Sequence, residues 1–479
     1  MKISTSVINV LFAIFFLAPI YCKAQTDTTA QVLTLSQAID SALTNNLNVK
    51  KAQFDEGIND ANLTLAKAAL LPSITGTVAA YKVFGRVLDP TTNTFTDASV
   101  KLAQGNLYAD VTLFQGFQRI NQIKANKYLL EAGKNNTRKV KNDLVLSILT
   151  TYLQLLSNQE LLKVAKQQLI VSREELRQQE KFFKVKQKTV ADLAMAKSVY
   201  AGSDLNVINA QNEVERTYLL LSQLMERNPA HRFVAVSPSD DELNILNTRY
   251  TPADIYTRSL QNFPDVLLSL NRRLATEKAV SVARGKLLPT LSMGGTINTS
   301  YSSNLRTSVT TQITGLAPIG VVSTSGDQVV TPVYQSSVLS FGEQLKQNFN
   351  QAVGFTLVIP VLNGLQSRVN LRKAKILNQE ARLDEQIVKT NLNKVINEAV
   401  LDLEAANKKY KAAQANFTSA KEAFSAMSDR YTVGLADGVD VLVAVTGRNV
   451  AEFNVIQAKY DLVFKSKLID YYLGNPLSL

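Results

Sequence analysis

The chain is written twice. Leu71-Pro72-Ser73 recurs as Leu288-Pro289-Thr290, an offset of 217 residues. The offset holds upstream without gaps: Thr34 aligns with Thr251, Leu43 with Leu260, Val49 with Val266 and Ala66 with Ala283. A second block repeats at an offset of 248, where Phe114-Gln115-Gly116 returns as Leu362-Asn363-Gly364 and Asp192-Leu193 as Asp440-Val441. Each half closes on Asn-Pro, at Asn228-Pro229 and Asn475-Pro476. The two offsets differ by 31, so the second half carries an insertion between Pro289 and Leu362. Such a repeat sets the architecture before any single element is read. Each half reads as helix, two strands, long helix, turn, helix.

The strands are expected at about 73–83 and 105–114, then at about 290–301 and 348–359. Leu107, Ala109, Val111 and Leu113 alternate with Asn106, Asp110 and Thr112. Phe349, Val353, Phe355, Leu357 and Ile359 alternate with Asn350, Gly354 and Thr356. Segments of about ten residues with one apolar and one polar face suit a membrane barrel, and a soluble sandwich edge is the competing reading. Four strands cannot close a barrel, since the smallest have about eight, and an open edge in lipid strands backbone donors and acceptors. Several chains must then share one barrel. The connections at about 85–103 and 303–346 are rich in Thr, Ser and Gly and read as external loops.

The helices are long. The first pair is expected at about 117–185 and 190–227, the second at about 364–432 and 438–473. From Arg119 to Val185 there is no Pro and one Gly, Gly133; at about 1.5 Å per residue this is ~100 Å of helix. Apolar residues recur in sevens, at Ile148, Leu155, Leu162, Leu169, Leu176 and Phe183, and again at Ile396, Leu403, Tyr410, Phe417, Phe424 and Tyr431. An alanine column, Ala399, Ala406, Ala413 and Ala420, lets backbones approach. A seven-residue repeat specifies coiled-coil packing. The other faces carry Lys, Gln, Asn and Glu and meet water.

Residues 1–24 read as an export signal: Lys2, then a mostly apolar run from Val7 to Ile20, then cleavage after Ala24. Lipidation at Cys22 is the alternative, which bulky Tyr21 disfavours. Removing Lys2 and Lys23 lowers the formal net charge from +12 to +10. The single His and single Cys leave no His/Cys metal site, no Cys/His nucleophile and no disulfide framework, so no catalytic residue, metal or cofactor is expected. His231 stands alone in the linker, which spans 230–250 between a first repeat at 25–229 and a second at 251–479. Export argues against nucleic acid as the partner of the positive charge, which suits solvated coiled-coil faces or anionic lipid heads. With no Trp, an interfacial aromatic belt falls to Tyr81, Phe84, Tyr108 and Tyr301.

From about Leu33 to Pro476 the chain resembles the TolC-like outer-membrane efflux proteins. The most specific segment is Tyr431-Thr432-Val433-Gly434-Leu435-Ala436-Asp437-Gly438-Val439-Asp440-Val441-Leu442, which looks like that family's periplasmic helix turn. The paired Leu-Pro and Phe-Gln-Gly/Leu-Asn-Gly motifs support it. The resemblance implies a mixed α and β membrane protein. It implies a homotrimer whose protomers give four strands each to a twelve-stranded outer-membrane barrel, continued by a coiled-coil helical barrel across the periplasm. A periplasmic adaptor would join the turns near 186–191 and 434–439 to a proton-driven inner-membrane transporter. The channel would catalyse nothing.

The same resemblance implies site residues. Asp440 matches an aspartate ring at the periplasmic opening, with helix-dipole duty as its plain alternative. The family's second ring aspartate matches Val443. Tyr431 and Asp192 match a closed-state link, with packing on the heptad frame as the plain alternative for Tyr431, while the other link's partners match Ala436 and Ala191. Gly434 is the expected adaptor contact, with an ordinary helix C-cap as its plain alternative, and Lys186 occupies the matching place in the first half. The expected function is an exit duct for small toxic molecules. Type I protein or peptide secretion is the alternative, and a periplasmic coiled-coil adaptor a more distant one.

Overall fold

The computed structural model of the protein describes residues 31–89, 93–96, 99–230, 232–236 and 251–475. The expected export signal with Cys22, the linker's His231 and the closing Pro476 lie outside the described residues. The chain opens with β1 (Gln31–Leu33), α1 (Leu35–Asn45), α2 (Leu47–Ala68) and β2 (Ser73–Val83). Next come β3 (Val87–Asp89), β4 (Thr94–Thr96) and β5 (Val100–Gln115). Two long helices, α3 (Gln118–Lys184) and α4 (Val190–Leu224), lead to β6 (Phe233–Ala235). Then follow α5 (Pro252–Asn262), α6 (Pro264–Gly285), β7 (Thr290–Ser302), β8 (Arg306–Val321) and β9 (Gln328–Val338). The last elements are α7 (Phe341–Gln347), β10 (Asn350–Val358), α8 (Gln366–Thr432) and α9 (Gly438–Leu473). No helix among the described residues is long and apolar enough to cross a membrane.

Two expectations are corrected. The strand expected at about 105–114 begins earlier, at Val100. The segments expected as loops are structured: β3 pairs with β4, β8 with β9 in a long antiparallel hairpin, and α7 follows with a Ser340–Glu343 capping box. The Thr/Ser/Gly-rich composition of the insertion hid its β-branched content, which includes Ile313, Val329, Val330 and Val333.

Two compact units form, and neither is a sequence half. The first comprises the described parts of Met1–Leu47, Lys141–Thr251 and Glu398–Leu479; the second comprises Asn48–Val140 and Pro252–Asn397.

The second unit holds a four-stranded antiparallel sheet in the order β10-β7-β5-β2. Register fixes its faces. Ile74, Val78, Leu107, Ala109, Met293, Ile297, Val353 and Phe355 share one side. Thr75, Thr77, Asn106, Tyr108, Thr296 and Asn298 share the other. The apolar side is uncovered, with Val78 87% and Val353 71% exposed. A bulge between Thr112 and Phe114 interrupts the alternation, so Phe114 pairs with Leu291 and Leu113 is the extra residue.

The short motifs build the strand–helix junctions. After β5, Gly116 and Phe117 take φ of 56° and 60°; after β10, Gly364 and Leu365 take 60° and 62°. Two consecutive left-handed residues reverse the chain from strand to helix. At Gly116 a Cβ would overlap the Gly285 carbonyl and stand 2.9 Å from the Leu288 Cβ, so glycine is required there for space as well as for φ. Pro72 and Pro289 follow the last turns of α2 and α6 and turn the chain into β2 and β7.

Helix packing in this unit uses polar clamps. Thr137 Oγ1 donates to the Ala52 carbonyl at 3.1 Å, joining α3 to α2. Arg273 of α6 and Lys389 of α8 both donate to Glu385, at 2.5 and 2.6 Å. Burial raises the Glu385 pKa, but those two donors outweigh it and hold the carboxyl below its usual range.

In the first unit the heptad residues Ile148 and Leu155 are fully buried. Tyr152 lies beside them, and its hydroxyl is 2.8 Å from the Leu33 carbonyl and 2.9 Å from that of Val236. It also accepts from the Val236 N–H at 3.0 Å. It thereby ties α3 to the parallel β1–β6 pair, and burial pushes the phenol pKa up. Asn158 Nδ2 donates to Thr217 Oγ1 at 2.9 Å, clamping α3 to α4.

Candidate functional site

The implied site residues all fall at two helix turns of the first unit, α3–α4 and α8–α9. The turns share one construction. Lys186 lies just past the end of α3 at φ 62° and Gly434 just past the end of α8 at φ 76°. Lys186 N–H donates to Phe183 O and Gln187 N–H to Phe182 O, while Gly434 N–H donates to Tyr431 O and Leu435 N–H to Arg430 O. This double bond pattern closes a helix on a left-handed residue. Glycine takes that conformation freely; at Lys186 a Cβ makes it costly.

Each following helix starts with a capping box. Thr189 caps α4, accepting from the Asp192 N–H while the Asp192 carboxylate accepts from the Thr189 N–H at 2.9 Å and hydroxyl at 2.8 Å. Asp437 caps α9, accepting from Val439 and Asp440 N–H groups at 2.9 Å, and Asp440 accepts from the Asp437 N–H at 3.3 Å. The two implied aspartates therefore hold equivalent positions. The Thr189 backbone and side-chain bonds hold the Asp192 carboxyl below its usual range. Asp440 is exposed.

Tyr431 and Asp192 line one small cleft of about 30 Å³, together with Ser172, Glu175 and Gln179. Each is engaged elsewhere. The Tyr431 hydroxyl accepts from Gln179 Nε2 at 2.7 Å, and Lys188 Nζ sits 5.0 Å from the Tyr431 ring centroid. Gln179 Oε1 is buried without a partner, and burial raises the Glu175 pKa. Sequence reasoning missed Gln179, Glu175 and Lys188. A signal was present: Gln168, Ser172, Glu175 and Gln179 recur at 4-3-4 spacing, a polar stripe beside the apolar sevens. No group of three or more His, Cys, Asp or Glu side chains among the described residues is placed to hold a metal.

The family model for outer membrane efflux proteins matches residues 38–226 and again 255–475. The chain belongs to the outer membrane efflux protein family. This outer membrane efflux protein is 21% identical over 433 residues to the outer membrane efflux protein BepC of Brucella suis biovar 1 (strain 1330), covering 90% of this chain and 83% of that one. Its fold matches the CmeC outer membrane channel of Campylobacter jejuni with a TM-score of 0.76 at 18% identity, covering 93% and 86% of the two chains. It matches VceC of Vibrio cholerae with a TM-score of 0.74 at 15% identity, covering 92% and 96%. As an outer membrane efflux protein it resides in the outer membrane and serves transport; it is not an enzyme.

Proposed function

We propose that the chain is the exit duct of a tripartite efflux system, closed only as a homotrimer. The observation that carries this reading is the sheet. It has one apolar and one polar face, and both edge strands, β2 and β10, lack an outer partner among the described residues. Counting along the order β10-β7-β5-β2, the two edges run antiparallel to each other. Copies placed side by side can therefore pair β10 with the next β2 in the antiparallel sense of every other pair. Three copies give twelve strands and no edge in lipid. The double match of the family model supports the internal repeat. The long helices extend the passage into the periplasm, where an adaptor joins the turns to a proton-driven inner-membrane transporter. Small toxic molecules cross passively. The efflux role carried by the name of the Brucella relative supports that cargo class over protein secretion.

At the turns, Asp440 forms the acidic ring, and its exposed carboxylate supports that role. Tyr431 and Asp192 form the closed-state link, supported by their shared cleft and by a phenol proton that the Gln179 bond leaves free. Gly434 and Lys186 meet the adaptor, with the lysine making the two turns chemically distinct.

The test is an oxidative crosslink. A cysteine at Thr75 in β2 is combined in turn with cysteines along β10. One register should link copies into a covalent ring of three. Species that stop at pairs, or that extend without limit, would remove the trimeric duct.

A further inference from the structure

We infer that Lys82 and Lys101 form a binding site for the phosphorylated headgroup of a lipid in the outer leaflet. The inference rests on the barrel reading of the sheet. Lys82 of β2 lies directly opposite Lys101 of β5 in the register. Like charges in that position repel. Both are exposed, and among the described residues neither has an acidic partner. Among the described residues no carboxylate offsets the pair, which leaves it open to an anion from outside.

The position of the pair says which anion. Register puts Lys82 on the face of Ile74, Val78 and Ala80, and Lys101 on the face of Ala103, Leu107 and Ala109. This is the apolar face, the one turned to lipid. Ile74 lies near the helix-bearing end of β2 and Lys82 eight residues further along. At about 3.3 Å per residue and a tilt near 40°, those residues rise roughly 20 Å, close to the ~25 Å apolar band of a membrane barrel. The lysines therefore stand where the hydrocarbon ends, on the side away from the helices. The surroundings are those of an interface. Lys82 Nζ sits 4.9 Å from the Phe84 ring centroid, and Arg86 stands 5.2 Å from that of Phe95. Tyr301 pairs with Ala103 on the same face. Aromatic rings with cations beside them mark the headgroup level. An acidic peptide would approach from water; this pair projects along the lipid-facing wall. Two ammonium groups on neighbouring strands match a phosphate, which takes charge-assisted bonds from both.

The experiment uses full-length protein purified from outer membranes in mild detergent, with Lys82→Gln/Lys101→Gln as the variant. Diphosphorylated lipid A, the same lipid without its phosphates, and inorganic phosphate are the probes. Wild type should retain diphosphorylated lipid A by native mass spectrometry and melt at higher temperature in its presence. The double variant should retain it about ten-fold less, a loss of the size that charge-assisted bonds supply, with oligomeric state and conductance unchanged. Dephosphorylated lipid or inorganic phosphate should not substitute. Equal retention by the variant, or equal retention of the dephosphorylated lipid, overturns the site and leaves the barrel reading standing. Release of the wild-type chain from membranes by alkaline carbonate overturns the barrel reading and the site with it.

Discussion

Lys186 and Gly434 hold one backbone conformation with different side chains. Replacing Lys186 by Gly should stabilise its turn by about 1 kcal/mol, and replacing Gly434 by Ala should destabilise the other by a similar amount. Thermal melting of the detergent-solubilised protein reads both, and a fall in melting temperature for Lys186→Gly would contradict the assignment. Tyr152→Phe removes the hydroxyl's bonds but leaves the Val236 N–H on the Leu33 carbonyl at 3.3 Å, so the cost is that of a net hydrogen bond, about 1 kcal/mol by denaturant titration. Glu175 runs the other way. Its pKa is raised by burial, so its ionised form opposes folding above that pKa, and protonation relieves it. Glu175→Gln should therefore raise stability at neutral pH and lose its advantage as pH falls. An advantage independent of pH would assign the effect to packing. Asp192 has the opposite sign: its carboxyl is held low, so its cap contributes above the usual carboxylate pKa and is lost as pH falls through the folded value. The polar stripe through Gln168 and Gln179 was there to be read, but the apolar sevens beside it are the louder signal.

Among the elements, the strand–helix junctions separate two glycines of nearly equal φ, 56° at Gly116 and 60° at Gly364. A Cβ at Gly364 meets nothing within 4 Å, whereas at Gly116 it runs into the backbone of Gly285. Gly364→Ala should cost only backbone strain, about 1–2 kcal/mol. Gly116→Ala should reduce the yield of assembled protein much further, measured as the heat-resistant oligomer on gels; equal yields would show that the junction relaxes. Helix extents were legible because a seven-residue period persists across tens of residues without proline. The β8–β9 hairpin was not legible. Its alternation is broken by three register shifts, and Pro318 and Pro332 look like loop residues.

For the whole molecule, the sheet's free edges and the equivalent turns carry the functional argument. If Asp440 rings the opening, Asp440→Asn should weaken block by multivalent cations in planar bilayers, with conductance otherwise retained. Equal block would return Asp440 to capping α9 alone. If Tyr431 and Asp192 hold the turns closed, Tyr431→Phe should raise the leak conductance of the isolated channel. The Gln179 bond to Tyr431 adds a sharper form of this prediction, because Gln179→Leu removes the hydroxyl's present donor and should shift conductance in the same assay.

The sequence alone determined the two pairs of long helices, the four strands and the turn motifs, because each is a local period or a short run that needs no partner to be recognised. Only the tertiary structure decided which strands are neighbours, that β5 and β7 join the two sequence halves, and that each compact unit is built from separated stretches of the chain. It also decided that Lys82 faces Lys101, that Gly116 meets Gly285, and that the two aspartates are equivalent caps. Register and close approach depend on residues far apart in the chain, and a period records which way a side chain faces without saying what it faces.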